Sequence, residues 1–286
     1  MQEKIRTADK GRAAKARPLQ ESPPLDSLAA KPGVLVISHG SPDAHWIALV
    51  DEAVAEAAAC LPADLPVVSA FLEIVEGRLI QDGINELEAQ GVTDMIVIPL
   101  FVSSGSTHID EIAYALGVKD TPEKETDLER FRVSARVFFG DPIDDDPLVA
   151  EMVWDKVKGL SARPDREVLL LVGHGSIHEA FLKRWERGIS SLAARVGQIS
   201  GLVAADYALL NPDSVRRKVG YWTEKHGYDV IVAPLFLSAG YFTKTMIPSR
   251  LNGLSYRYSG DALLPHPLLS RWMSQHILHI MGSLTI

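Results

Sequence analysis

A chain of 286 residues, 47% apolar and 23% charged, has the make-up of a soluble globular protein and the length for two domains of roughly 100–200 residues. A formal charge of −8 provides no basic field for nucleic acid, and no apolar run approaches the ~18 residues of a membrane span. One cysteine, Cys60, excludes a disulfide framework and suits a reducing compartment, so a cytoplasmic location is expected.

Residues 1–30 carry Lys4, Arg6, Lys10, Arg12, Lys15 and Arg17 among Ala, Gly and Pro without an apolar stretch. They read as a disordered N-terminal arm and not as a secretory signal. A first unit is expected over 31–160. Gly33–Ser38 is a Val/Ile-rich run of the kind buried on both faces of a parallel sheet. A helix follows from Asp43 to about Cys60, then a strand at Pro66–Glu73, a helix at Gly77–Gln90 and a strand at Asp94–Phe101. A short helix at Thr107–Leu116 precedes an acidic, proline-containing stretch. A fourth strand at Arg132–Phe139 and a helix from about Asp146 to Leu160 end the unit.

After a link at Ser161–Arg166, the pattern returns over 166–286. Strands are predicted near Glu167–Gly173, Ile199–Tyr207, Asp229–Phe236 and Ser255–Ser259. Helices are predicted near His178–Val196, Pro212–His226, Lys244–Leu251 and Pro267–Met281. The return is a duplication. Val-Ile-Ser-His-Gly-Ser around His39 matches Leu-Val-Gly-His-Gly-Ser around His174, and the strings from Ile98 and Ala233 keep the same spacing of 135. Gly140-Asp141 with Pro147-Leu148 reappears as Gly260-Asp261 with Pro267-Leu268. So long a period means two copies of a domain, not a solenoid. Strand–helix alternation predicts an α/β fold, each copy a four-stranded parallel sheet with helices on both faces.

Ligands of open parallel sheets bind beyond the carboxyl ends of the strands. His39, Glu73 and His108 follow or end the first three strands of the first copy. Two imidazoles and a carboxylate suit a divalent ion such as Co²⁺, Fe²⁺ or Ni²⁺ with open coordination positions, and serve equally as proton acceptors. At the 135 spacing, Ala208 stands opposite Glu73 and Thr243 opposite His108, while His174 remains. The principal site is therefore expected in the first copy, with His174 either a relic of the turn or a weak second site. Other chemistries lack their residues. A histidine phosphatase needs Arg before His-Gly, where Ser38 and Gly173 stand, and neither Gly-x-Ser-x-Gly nor Gly-x-Gly-x-x-Gly is present.

These strings resemble the class II chelatases of tetrapyrrole biosynthesis, the sirohydrochlorin cobaltochelatase/ferrochelatase group in its long, two-domain form. His39-Gly-Ser41, Ala70-Phe-Leu-Glu73, Pro99-Leu-Phe with Gly105 and His108, and the two closing Gly-Asp…Pro-Leu helices carry the resemblance. It implies insertion of Co²⁺, Fe²⁺ or Ni²⁺ into sirohydrochlorin, an anionic macrocycle with eight carboxylates, with the metal as substrate and no organic cofactor. It makes His39 metal contact and base, and His108 second metal contact. Ser41, Glu73 and the loop Ser103, Ser104, Gly105, Ser106 and Thr107 would line the macrocycle. The family pattern is Gly-x-His, whereas Gly105-Ser-Thr-His108 has one residue more, so Thr107 and His108 are alternatives for the second ligand. Arg78, Arg184, Arg187, Lys244 and Arg250 are candidates to steer the anion. A duplicated chain can act as its own pseudo-dimer, as a monomer or within a homodimer. The rival reading is a non-catalytic carrier of metal or tetrapyrrole.

Overall fold

In the computed structural model, which describes residues 30–284, each half builds one parallel sheet around a strand buried on both faces. Residues 1–29 of the expected arm lie outside the described residues. The first sheet has order β2-β1-β3-β4, from Pro32–Ser38 (β1), Val67–Phe71 (β2), Asp94–Pro99 (β3) and Arg136–Phe139 (β4). The second repeats it as β6-β5-β7-β8, from Glu167–Gly175 (β5), Ala204–Asn211 (β6), Asp229–Pro234 (β7) and Arg257–Tyr258 (β8). The expected fold of two four-stranded parallel sheets with helices on both faces is what forms.

Successive side chains of a strand point to opposite faces, and here the alternation sorts the core into layers. Val34 and Val36 of β1, Ile96 and Ile98 of β3, Leu169 and Leu171 of β5, and Ile231 and Ala233 of β7 all enter one central apolar cluster. Between the two sheets it takes in Ala44–Ala58 (α1), Pro147–Val157 (α4), Glu179–Ser200 (α5) and Pro267–Leu284 (α8). The alternate residues face outward. Leu35, Ile37, Met95 and Val97 pack on Ile80–Ala89 (α2) and Thr107–Ala115 (α3). Leu170, Val172, Val230 and Val232 pack on Val215–Gly220 (α6) and Ile247–Arg250 (α7).

The closing helices are exchanged between halves. Helix α4 packs on α5 and reaches β7, while α8 packs on α1 and β3. Ser270 of α8 donates to Glu56 at 2.7 Å, and the His276 ring accepts from the Asp141 amide at 3.1 Å. The spans expected as separate domains thus share one core, and the body that begins at Lys31 is a single compact unit. Nor is the link between them slack. The Glu167 carboxylate, wholly buried, accepts from the Ser161 hydroxyl and from the amides of Ala162 and Arg163, and pairs with Arg257.

Several second-half elements differ from expectation. The strand predicted from Ile199 starts at Ala204. Residues Phe181, Trp185, Ile189, Leu192, Val196 and Ser200 form one buried stripe, so α5 runs on until Gly201 ends it at φ 69°. The helix predicted at Pro212–His226 is α6 followed by a π-helical turn, Tyr221–Lys225. That predicted at Lys244–Leu251 is a π-helical turn, Phe242–Met246, leading into α7. In the first half, β4 begins at Arg136, not Arg132.

Candidate functional site

Each motif histidine sits where a central strand runs out into a glycine turn. Gly40 has φ +104° and Gly175 φ +76°. A Cβ at Gly40 would lie 2.1 Å from the Glu73 carbonyl oxygen, and one at Gly175 2.0 Å from that of Asn211. Only glycine fits such a turn pressed against backbone. The turn also fixes the imidazole. His39 Nδ1 lies 3.2 Å from the Gly40 oxygen and His174 Nδ1 3.0 Å from the Gly175 oxygen. A carbonyl only accepts, so Nδ1 carries the hydrogen and Nε2 keeps its lone pair. His39 Nε2 stands 3.6 Å from the carboxylate of Glu73.

His108 comes to His39 from the first turn of α3, their rings edge to face with centroids 4.8 Å apart. His108 Nδ1 is 2.5 Å from Glu111 Oε1, one helical turn along, and Glu111 Oε2 accepts from Thr126 at 2.9 Å. Burial alone would raise the Glu111 carboxyl. The bond and charge of His108, the Thr126 hydroxyl and the charge of Lys124 outweigh it and hold Glu111 below the usual carboxylate range. The Nε2 of both rings is thus left free of these fixed bonds, each ring oriented through Nδ1 as metal-ligating histidines are. Between Thr107 and His108, it is the His108 ring that meets His39.

Both histidines open on a cleft of about 500 Å³ shared by the two halves. The first half contributes Phe101, Val102 and the 105–108 segment; the second contributes His174, Gly175, Ser176, Ile177, His178, Trp185, Asn211, Phe236 and Phe242. Its volume lies in the range of roughly 300–1,000 Å³ typical of ligand sites. The halves meet closely here. A Cβ on Gly105 would fall 2.4 Å from Trp185 Cδ1 and 2.6 Å from the Phe181 carbonyl of α5. Asp144, whose carboxyl is pushed up by burial against the opposing bonds from Ser104 and Ser103, accepts from the Ser104 amide at 2.9 Å.

Register corrects the expected second-half equivalents. Ser38 pairs with Phe71 in the first sheet, and Gly173 with Leu209 in the second. The counterpart of Glu73 is therefore Asn211, not the buried Ala208, as the two glycine–carbonyl contacts also show. Opposite His108 in space is Phe242, whose ring meets His174 edge to face at 5.0 Å; Thr243 is buried and bonded to Gly240. His39, His108 and Glu73 of the first half thus correspond to His174, Phe242 and Asn211 of the second.

Of the other expected residues, Gly105, Ser106 and Thr107 line the cleft, whereas Ser41, Ser103 and Ser104 do not. Ser41 accepts from the Asp43 amide at 3.1 Å and the buried Ser103 from that of Gly105 at 3.0 Å, so both shape turns. Glu73 is half-exposed beside His39 rather than in the cleft wall. None of the five candidate steering cations lines it. Arg78 is paired with Asp51, Arg184 with Glu123 and Arg250 with Asp213. Lys124, unmarked by any motif, does line it. Among the described residues, no group of three or more His, Cys, Asp or Glu is gathered to hold a metal ion.

A model of the CbiX family matches residues 33–160 and again 168–279. A sirohydrochlorin cobaltochelatase of Methanothermobacter thermautotrophicus is 31% identical over 137 residues, covering 45% of this chain and 92% of its own length. A sirohydrochlorin ferrochelatase of Bacillus subtilis is 26% identical over 217 residues, 73% of this chain and 76% of its own. Among solved structures, SirB from Bacillus subtilis with Fe³⁺ shares the fold at a TM-score of 0.67 and 18% identity, over 87% of this chain and 94% of that one.

Proposed function

The chain belongs to the CbiX family of class II tetrapyrrole chelatases, and from that premise we propose that it inserts a divalent metal ion into sirohydrochlorin at His39 and His108. The observation that carries this reading is the ring pair itself. Two imidazoles 4.8 Å apart, each oriented through Nδ1 by a fixed acceptor, lie on a cleft able to admit part of a macrocycle. Two donors hold an ion long enough to present it and weakly enough to release it to four ring nitrogens. A closed four-ligand site would keep it.

Metallation expels two pyrrole N–H protons as one M²⁺ enters. His39 Nε2 is the proposed first acceptor once it has given up the ion, since its one lone pair serves metal and proton in turn, and Glu73 at 3.6 Å gives the resulting imidazolium an anionic partner. His174 faces the same cleft with Phe242 and Asn211 where the first half has a second imidazole and a carboxylate. Lacking a companion donor, it is proposed to accept a proton rather than to hold metal. Aromatic rings of Phe101, Trp185, Phe236 and Phe242 supply flat apolar surface for the macrocycle, whose carboxylates reach water at the mouth. Both sides of the cleft come from one chain, so a monomer suffices.

Co²⁺ is the proposed ion, ahead of Fe²⁺ and Ni²⁺. Imidazole donors without thiolate suit all three, and the 31% identical relative carries cobalt in its name. The reading is tested by anaerobic absorbance of sirohydrochlorin with Co²⁺ and substoichiometric protein. Many metallated molecules per protein, above the protein-free rate, are expected. A change limited to one equivalent of protein would contradict it and leave a carrier.

A further inference from the structure

The halves differ most between their third and fourth strands. The first half spans Pro99 to Arg136 there, the second only Pro234 to Arg257. The surplus is a stretch from residue 117 to 135 with no regular element of its own. It is nonetheless pinned on three sides. The buried Asp110 carboxylate accepts from Lys119 Nζ and from the amides of Glu123, at 2.8 Å, and Lys124, at 3.3 Å. Thr126 bonds Glu111, the carboxylate that orients His108. From the other half, Arg184 of α5 grips Glu123 through both carboxylate oxygens at 3.0 and 2.8 Å.

Lys124 sits among these anchors and lines the cleft. Its amide is tied down. Its ammonium, among the described residues, has no hydrogen bond or ion pair, while its neighbours Lys119 and Arg184 are both committed to carboxylates. A lysine on a fixed backbone, its charge felt by Glu111 but its ammonium bonded to no carboxylate, in a cleft otherwise walled by imidazoles, small polar groups and apolar rings, is a receptor for an anion.

We propose that Lys124 recognises a peripheral carboxylate of the tetrapyrrole and that the 117–135 strap exists to place it beside His108. The proposal rests on the chelatase reading, and it makes the strap a determinant of which tetrapyrrole acids are accepted. An ammonium is a compact charge that tolerates some spread in the position of its partner, as a substrate with several flexible acid arms requires.

The test is anaerobic titration of the full chain with metal-free sirohydrochlorin, without metal, for the wild type, Lys124→Ala and Lys124→Arg at low and high salt. Lys124→Ala is expected to bind about 3- to 10-fold more weakly at low salt, with a shallower salt dependence, and Lys124→Arg to recover most of the loss. Co²⁺ binding by the histidine pair is expected to change much less than tetrapyrrole binding in Lys124→Ala and to stay at the wild-type value in Lys124→Arg, which separates loss of the substrate contact from the effect of the lysine charge on Glu111. Wild-type binding with Lys124→Ala equally tight at low salt would overturn this proposal alone. No binding by the wild type would overturn the chelatase reading and this proposal with it.

Discussion

What makes His39 and His108 a working pair is the fate of their Nδ1 atoms. A carbonyl takes one and a carboxylate the other, and both rings keep Nε2 for the cleft. Outer partners of this kind are worth roughly 10- to 100-fold in metal affinity. Glu111→Ala, which frees the His108 ring, is therefore expected to weaken Co²⁺ binding by about that factor in a spectroscopic titration. Glu111→Gln, which keeps an acceptor but not the charge, should fall between. Unchanged binding in Glu111→Ala would mean that the ring is held by packing alone. His39 was legible in the sequence because it lies directly after a strand whose apolar run is plain, and His108 because it opens the helix that follows the next such run but one. Lys124 was not, because its stretch has no periodicity and its position depends on Asp110 and Arg184, partners close only in space.

At the scale of elements, fixed spacing serves only where lengths are conserved. Strands β1 and β5 keep the 135 offset, as do β3 and β7, so the motif histidines matched. Helix α5 is longer than α1, so β6 is displaced and the partner of Glu73 becomes Asn211. The π-helical turn at Phe242 likewise puts an aromatic ring where the offset puts Thr243. The link preceding β5 gives a prediction of its own. Although burial would raise it, the Glu167 carboxyl is held down to about 2 by bonds from Ser161, Ala162, Arg163 and Arg257. Against an ordinary value of 4.5, that is about 3 kcal/mol of stability, fully present above pH 4.5 and lost as pH falls towards 2. Urea unfolding of Glu167→Gln should show a deficit of about 2–3 kcal/mol at pH 7 that narrows at pH 3. An equal deficit at both would assign the loss to packing.

For the whole molecule, the exchanged helices decide the behaviour. With α8 on α1 and α4 on α5, neither half keeps its own apolar surfaces covered without the other. Fluorescence and circular dichroism are expected to report one coincident unfolding transition. Trp272→Ala, which truncates a side chain 4% exposed in the shared cluster, should cost roughly 3–5 kcal/mol. Two separated transitions would contradict the single core. Sequence alone showed the duplication but not this exchange, since nothing in an amphipathic helix states which copy of the sheet it will cover. The same exchange brings β1 and β5 to one cleft, so that a site expected in the first half has walls from both.

The central claim is that metal enters the macrocycle at the His39–His108 pair. Its most direct test compares anaerobic turnover of sirohydrochlorin with Co²⁺ by His39→Ala, His108→Ala and His174→Ala, all confirmed folded. Loss of turnover to near the protein-free rate in the first two, with a smaller loss in the third, is the predicted result. Turnover that survives His39→Ala and His108→Ala but vanishes in His174→Ala would place the chemistry in the other half of the cleft.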